Sequence, residues 1–167
     1  MRRYVVFATA CVLALLLSRE LTLSLPLVGM GPDLLVLVIA AFAIGERPRT
    51  AATAGFAAGL LRDMLLLSPK GLSAFAYAAT AYGVAMIGIP RGVGPVVGTF
   101  AGATFVSQLL YGLGAMFFGP QVDASPLPRM LFITTAYNAL ISPLLMPLLS
   151  RVVRPEGGVP AVESDFR

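Results

Sequence analysis

The 167-residue chain carries few groups able to do chemistry, and their types narrow what that chemistry can be. Histidine is absent and cysteine occurs once, which removes the commonest general base and metal ligand, any thiolate cage and any internal disulfide. Cys11 lies in an apolar run and reads as a small packing residue. Two acids, Asp33 and Asp63, stand in or beside apolar segments, the second with Arg62 next to it. Charges inside an apolar span are costly, so Arg62-Asp63 is the sharpest polar feature of the sequence. Arg62 is long enough to snorkel outward. Asp63 is not, and needs a partner: Arg62, Lys70 or a hydroxyl on a structural reading, a ligand or another protein on a functional one. Asp33 follows Pro32 at the start of an apolar run, where an acid complements the positive end of a helix, and capping is its favoured role.

Gln108 and Tyr111, then Tyr137, Asn138 and Ser142, add buried hydrogen-bonding groups, with Asn138 and Ser142 on one helix face at four-residue spacing. No serine has a histidine to activate it, no lysine lies within an apolar span, the two acids do not recur as a metal motif, and no phosphate-binding glycine loop occurs. These residues can pair, hydrogen-bond and pack. Neither an enzymatic reaction nor a cofactor is expected of them.

Small residues recur every four positions: Ala10 and Ala14, Gly55 and Gly59, and Gly94, Gly98 and Gly102. That spacing puts each set on one helix face, where backbones can approach closely. Packing within the chain is the favoured use and docking of another membrane protein the alternative, with the three-glycine face the first candidate for close packing of either kind. Pro143 and Pro147 are expected to bend the last helix.

The elements that must position these residues follow from hydropathy. The chain is 57% hydrophobic and 12% charged, with a mean hydropathy of +0.86, about half the charge of a soluble domain. Apolar segments at about 4–22, 31–45, 50–67, 72–89, 93–118 and 129–150 read as six transmembrane helices of one all-α integral membrane bundle, the domain closing at about residue 151. The second is short for a span and is expected to borrow loop residues or thin the local bilayer. The first, after Met1-Arg2-Arg3, reads as a retained helix, and 152–167 as a cytoplasmic, disordered tail. With the N-terminus inside, eight basic residues fall on the cytoplasmic side and four (Arg19, Arg62, Lys70 and Arg129) opposite, which puts both termini in the cytoplasm. The net charge of +4 is thus a topology signal, and no nucleic-acid partner is expected. The absence of two matching halves argues against an inverted-repeat transporter.

The stretch from Pro32 to Ala85 resembles the bacterial rod shape-determining protein family MreD. The resemblance rests on Pro32-Asp33-Leu34, Gly45 before a basic turn, Gly55-Phe56, Gly59-Leu60 followed by Asp63, and a turn with Pro69 and Gly71. It implies a multi-pass inner-membrane component of the cell-elongation machinery, a scaffold or regulator that binds MreC and helps position peptidoglycan synthesis for rod shape. RodA, a class B penicillin-binding protein and, indirectly, the MreB cytoskeleton are implied as further partners. It also implies a fold like the S component of energy-coupling-factor transporters, whose docking pattern Ala10 and Ala14 resemble. On this reading Asp33, Asp63, Gly55, Gly59, Gly94, Gly98, Gly102 and Asn138 are candidates for a partner interface or a cavity. A vitamin-type binding subunit of a transporter, with a ligand near Asp63 and Asn138, is the alternative, and a lipid-binding component a minor third.

Overall fold

The computed structural model describes residues 2–24, 31–65, 71–88, 92–118 and 127–153. The turn residues Ser68-Pro69-Lys70 and Pro90-Arg91, the connection at 119–126 and the predicted tail beyond 153 lie outside the described residues. The described residues form six helices and no strand: α1 (Arg2–Ser24), α2 (Leu34–Ala43), α3 (Pro48–Leu65), α4 (Leu72–Ile87), α5 (Val93–Phe118) and α6 (Leu127–Val153). Two of them, at Tyr4–Leu21 and Val93–Phe117, are long and apolar enough to cross a membrane.

Glycine and proline set the boundaries. Gly45, Gly71, Gly88 and Gly92 all take positive φ, at 81°, 97°, 81° and 99°, a conformation that costs any other residue steric strain. They end α2, open α4, close α4 and precede α5. Pro48 starts α3, where its missing N–H is no loss and its fixed φ suits the first turn.

Helix α2 is the centre of the fold. Its sequence, LLVLVIAAFA, is apolar on every face, and all ten side chains are buried, as expected of a helix enclosed by others. It packs against each of the other five helices. At about 1.5 Å per residue it is about 15 Å long, half the ~30 Å of a bilayer's hydrocarbon core. The expectation that loop residues extend it is not met: Gly31 to Asp33 are non-helical, and Asp33 has φ −94° and ψ 82°.

Helix α1 meets α2 through Phe7, Cys11 and Ala14, with Phe7 and Phe42 ring centroids 4.3 Å apart. Ala14 is buried and Ala10 packs partly buried on the same core. The small-residue face of α1 thus packs on the core of the chain, the use favoured for it in the sequence. The outward face carries Val5, Val12, Leu13, Leu16 and Leu17.

Helices α3 and α4 make the closest pair. A Cβ on Gly55 would stand 2.5 Å from the Tyr77 carbonyl oxygen, and one on Gly59 2.5 Å from both Ala74 Cα and the Ser73 carbonyl oxygen. Here the four-residue glycine spacing works inside the chain, bringing two backbones into direct contact. Helix α6 runs unbroken through Pro143. Proline has no N–H to offer the carbonyl four residues back, which is Ala139, and the Ser142 hydroxyl donates to that carbonyl at 2.9 Å instead.

Candidate functional site

Each of the other five helices sends a polar side chain to the N-terminal end of α2, and the convergence point is Asp33. From α3, Arg62 Nη1 donates to Asp33 Oδ2 at 2.6 Å. From α4, the Tyr77 hydroxyl donates to the same oxygen at 2.8 Å, and from α5 Gln108 Nε2 does so at 3.2 Å. From α6, Asn138 Nδ2 donates to the Asp33 backbone carbonyl at 2.9 Å and to the Thr104 hydroxyl of α5 at 3.0 Å. From α1, the Ser18 hydroxyl accepts the Leu34 N–H at 3.0 Å.

These contacts correct the role expected of Asp33. Its side chain makes no capping bond to its own helix; Ser18 takes the first free N–H of α2, and the carboxylate is left for the interhelical donors. The helix terminus still favours a negative charge there, and an ionised acceptor makes each donor bond stronger than a neutral pair. Asp33, Tyr77, Gln108 and Asn138 are all buried, so the assembly is an enclosed polar knot in an apolar interior, where unpaired members would be expensive.

Arg62 also departs from expectation. It does not snorkel away but turns inward to Asp33, its Cζ lying 5.4 Å from the Tyr77 ring centroid and 5.9 Å from that of Tyr111, within cation–π reach of both. Its side chain keeps 20% exposure. Asp63 is 2% exposed, and its Oδ2 accepts the backbone N–H groups of Gly71 at 2.8 Å and Ala74 at 3.3 Å. It therefore caps α4 from α3, holding two of the N–H groups that helix α4 cannot satisfy itself. Neighbours in sequence point about 100° apart on a helix and do not face each other, so Arg62 and Asp63 serve different partners.

Of the sequence candidates, the structure brings Asp33 and Asn138 into one site with Arg62, Tyr77 and Gln108. It places Asp63 beside it at the α3–α4 turn, and Gly55 and Gly59 in the α3–α4 contact below. Tyr77, Ser18 and Thr104 are residues of the site that sequence reasoning missed; for Tyr77, a tyrosine amid the small residues of α4 was the available signal. Gly94, Gly98 and Gly102 are elsewhere. All three are exposed, and among the described residues a methyl group added at any of them would have nothing within 4 Å, so none of the described helices packs closely on this face. Gly98 and Gly102 instead line a cleft of about 240 Å³ between α4 and α5, with Thr80, Gly83, Thr99 and Val106 among its walls. Neither Asp63 nor Asn138 lines this cleft. Among the described residues no three His, Cys, Asp or Glu side chains gather as a metal ion requires.

The arrangement binds helices together and, among the described residues, leaves the small-residue face of α5 open. Among known protein families, residues 1–154 match the family model described as rod shape-determining protein MreD. No curated protein and no solved structure matches the chain.

Proposed function

The chain belongs to the MreD family of rod shape-determining proteins, and on that premise we propose that it is a six-span inner-membrane scaffold which binds MreC through the glycine face of α5. Both termini lie in the cytoplasm on this reading, α2 crosses as an enclosed core helix, and the Asp33 knot lies toward the outer side. A likeness to the S components of energy-coupling-factor transporters belongs to the same proposal. RodA, a class B penicillin-binding protein and the MreB cytoskeleton are reached through the assembly, so that the scaffold helps position peptidoglycan synthesis.

The observation that carries the reading is the contrast between two glycine faces. Gly55 and Gly59 are used up against α4, whereas Gly94, Gly98 and Gly102 have no close neighbour among the described residues. In lipid, helices associate by close packing of small residues, since lipid tails already satisfy apolar side chains. An open glycine face beside a cleft is therefore suited to a partner's transmembrane helix. Such a scaffold needs no reaction, only contacts that favour one state of its partner.

The test is full-length Gly98→Leu expressed in native membranes, with MreC recovered by affinity purification. Recovery falls while membrane level and Tm stay at wild-type values; unchanged recovery removes α5 from the interface. The α4–α5 cleft lends the carrier alternative little support, being smaller than the 300–1,000 Å³ usual for ligand pockets and without the polar anchors Asp63 and Asn138.

A further inference from the structure

The surroundings of Arg62 have the composition of a receptor for a planar cation. Asp33 supplies the negative charge at 2.6 Å from Nη1. Tyr77 and Tyr111 supply two aromatic rings at 5.4 and 5.9 Å from Cζ, and Gln108 steadies the same carboxylate oxygen at 3.2 Å. The members differ in freedom. Asp33, Tyr77 and Gln108 are buried, and Asp33 is fixed by the backbone at the head of the enclosed α2. Arg62 hangs on a flexible stem and keeps 20% exposure, so it can withdraw to the surface without moving a helix.

The geometry points to a guanidinium-binding site formed by Asp33, Tyr77, Tyr111 and Gln108, closed in cis by Arg62 and open to an arginine side chain presented by another protein. Exchange of one guanidinium for another keeps the charge at Asp33 balanced throughout. The flat, weakly hydrated guanidinium suits two ring faces and a carboxylate together, which a compact, strongly hydrated ammonium does not. The site is independent of the α5 glycine face and stands or falls without it.

The test uses full-length Arg62→Ala protein in detergent, purified and melted in low-millimolar guanidinium chloride or in the same concentration of urea, which has the planar shape without the charge. Guanidinium raises the Tm of the variant saturably, by about 3–6 °C at ten times its Kd. Urea does not, and wild-type protein responds equally to both. Adding Tyr111→Ala to the variant abolishes most of the rise. Where the variant is recovered monodisperse only in guanidinium, that recovery is itself the binding signal. Equal behaviour in the two additives, aggregation in both, or a rise that persists undiminished with Tyr111→Ala overturns the site.

Discussion

Substituting Gly59 by alanine adds one methyl group at the tightest point between α3 and α4. That methyl would stand 2.5 Å from Ala74 Cα and the Ser73 carbonyl oxygen and 2.6 Å from Ala74 N, all backbone atoms that cannot rotate aside. Ordinary contact begins at 3.4 Å, so the helices must part locally by about 1 Å, and overpacking of this kind costs about 1–3 kcal/mol. The opening falls on the segment that Asp63 caps. Its bond to Ala74 N is already 3.3 Å, and a further ~1 Å breaks it, at about 1.5–3 kcal/mol for a hydrogen bond to a charged group. Together these give a loss of about 2.5–6 kcal/mol, or roughly 5–24 °C in Tm for a chain of this size. The assay is thermal unfolding of the purified protein in detergent, followed by loss of the monodisperse peak on size exclusion. Gly98→Ala is the matched control: the same substitution on an open face, expected to lie within about 1 kcal/mol of wild type and on the stabilising side from helix propensity. Equal Tm values for Gly59→Ala and Gly98→Ala would refute the claim that the two faces have different uses.

The remaining predictions concern the polar groups. Arg62→Leu, which strands the immobile Asp33 carboxylate, destabilises more than Asp33→Leu, which leaves Arg62 able to reach the surface; the double variant loses less than the sum by about 1–3 kcal/mol, and strict additivity in a thermal double-mutant cycle would count against the pair. Asn138→Asp is worse than Asn138→Leu, since a carboxylate replaces the amide that donates to the Asp33 carbonyl and the Thr104 hydroxyl; membrane accumulation and Tm should both rank them so. Ser142→Ala costs about 1 kcal/mol by leaving the Ala139 carbonyl without a donor, and adding Pro143→Ala, which restores an N–H, recovers that loss in the same melt.

Much of the fold was legible because its punctuation is local. Gly45, Gly71, Gly88 and Gly92 take conformations that few other residues tolerate, and the apolar runs between them left little choice but helix. The role of α2 was less legible: a short run that is apolar on every face reads as a poor span until its neighbours are known to enclose it. Spacing identifies a helix face but not what stands opposite it. Gly55 and Gly59 therefore looked the same as Gly94, Gly98 and Gly102, and only the position of α4 separates them. The polar knot was hidden for a similar reason. Asp33 and Arg62 are 29 residues apart, and Asp33 and Asn138 are 105 apart, so no sequence window contains both members of a pair. One correction was available without coordinates: Arg62 and Asp63, being adjacent on a helix, could not satisfy one another.

The position of the knot bears on how the six helices keep their arrangement. A membrane interior provides no hydrophobic drive for one apolar helix to prefer another over lipid, so an apolar α2 could slide or tilt within its ring of neighbours at little cost. Ser18, Arg62, Tyr77, Gln108 and Asn138 remove that freedom by fixing one end of α2 to all five surrounding helices at once. A shift of about one residue's rise, ~1.5 Å, would break several of these bonds together, because four of the five end on the carboxylate or carbonyl of Asp33 and the fifth on the next residue's N–H. Polar contacts thus set the register of α2, while glycine contacts set the separation of α3 and α4. The face left over on α5 then belongs to a body whose other helices are held in place, which is the condition under which an external helix meets a preformed surface.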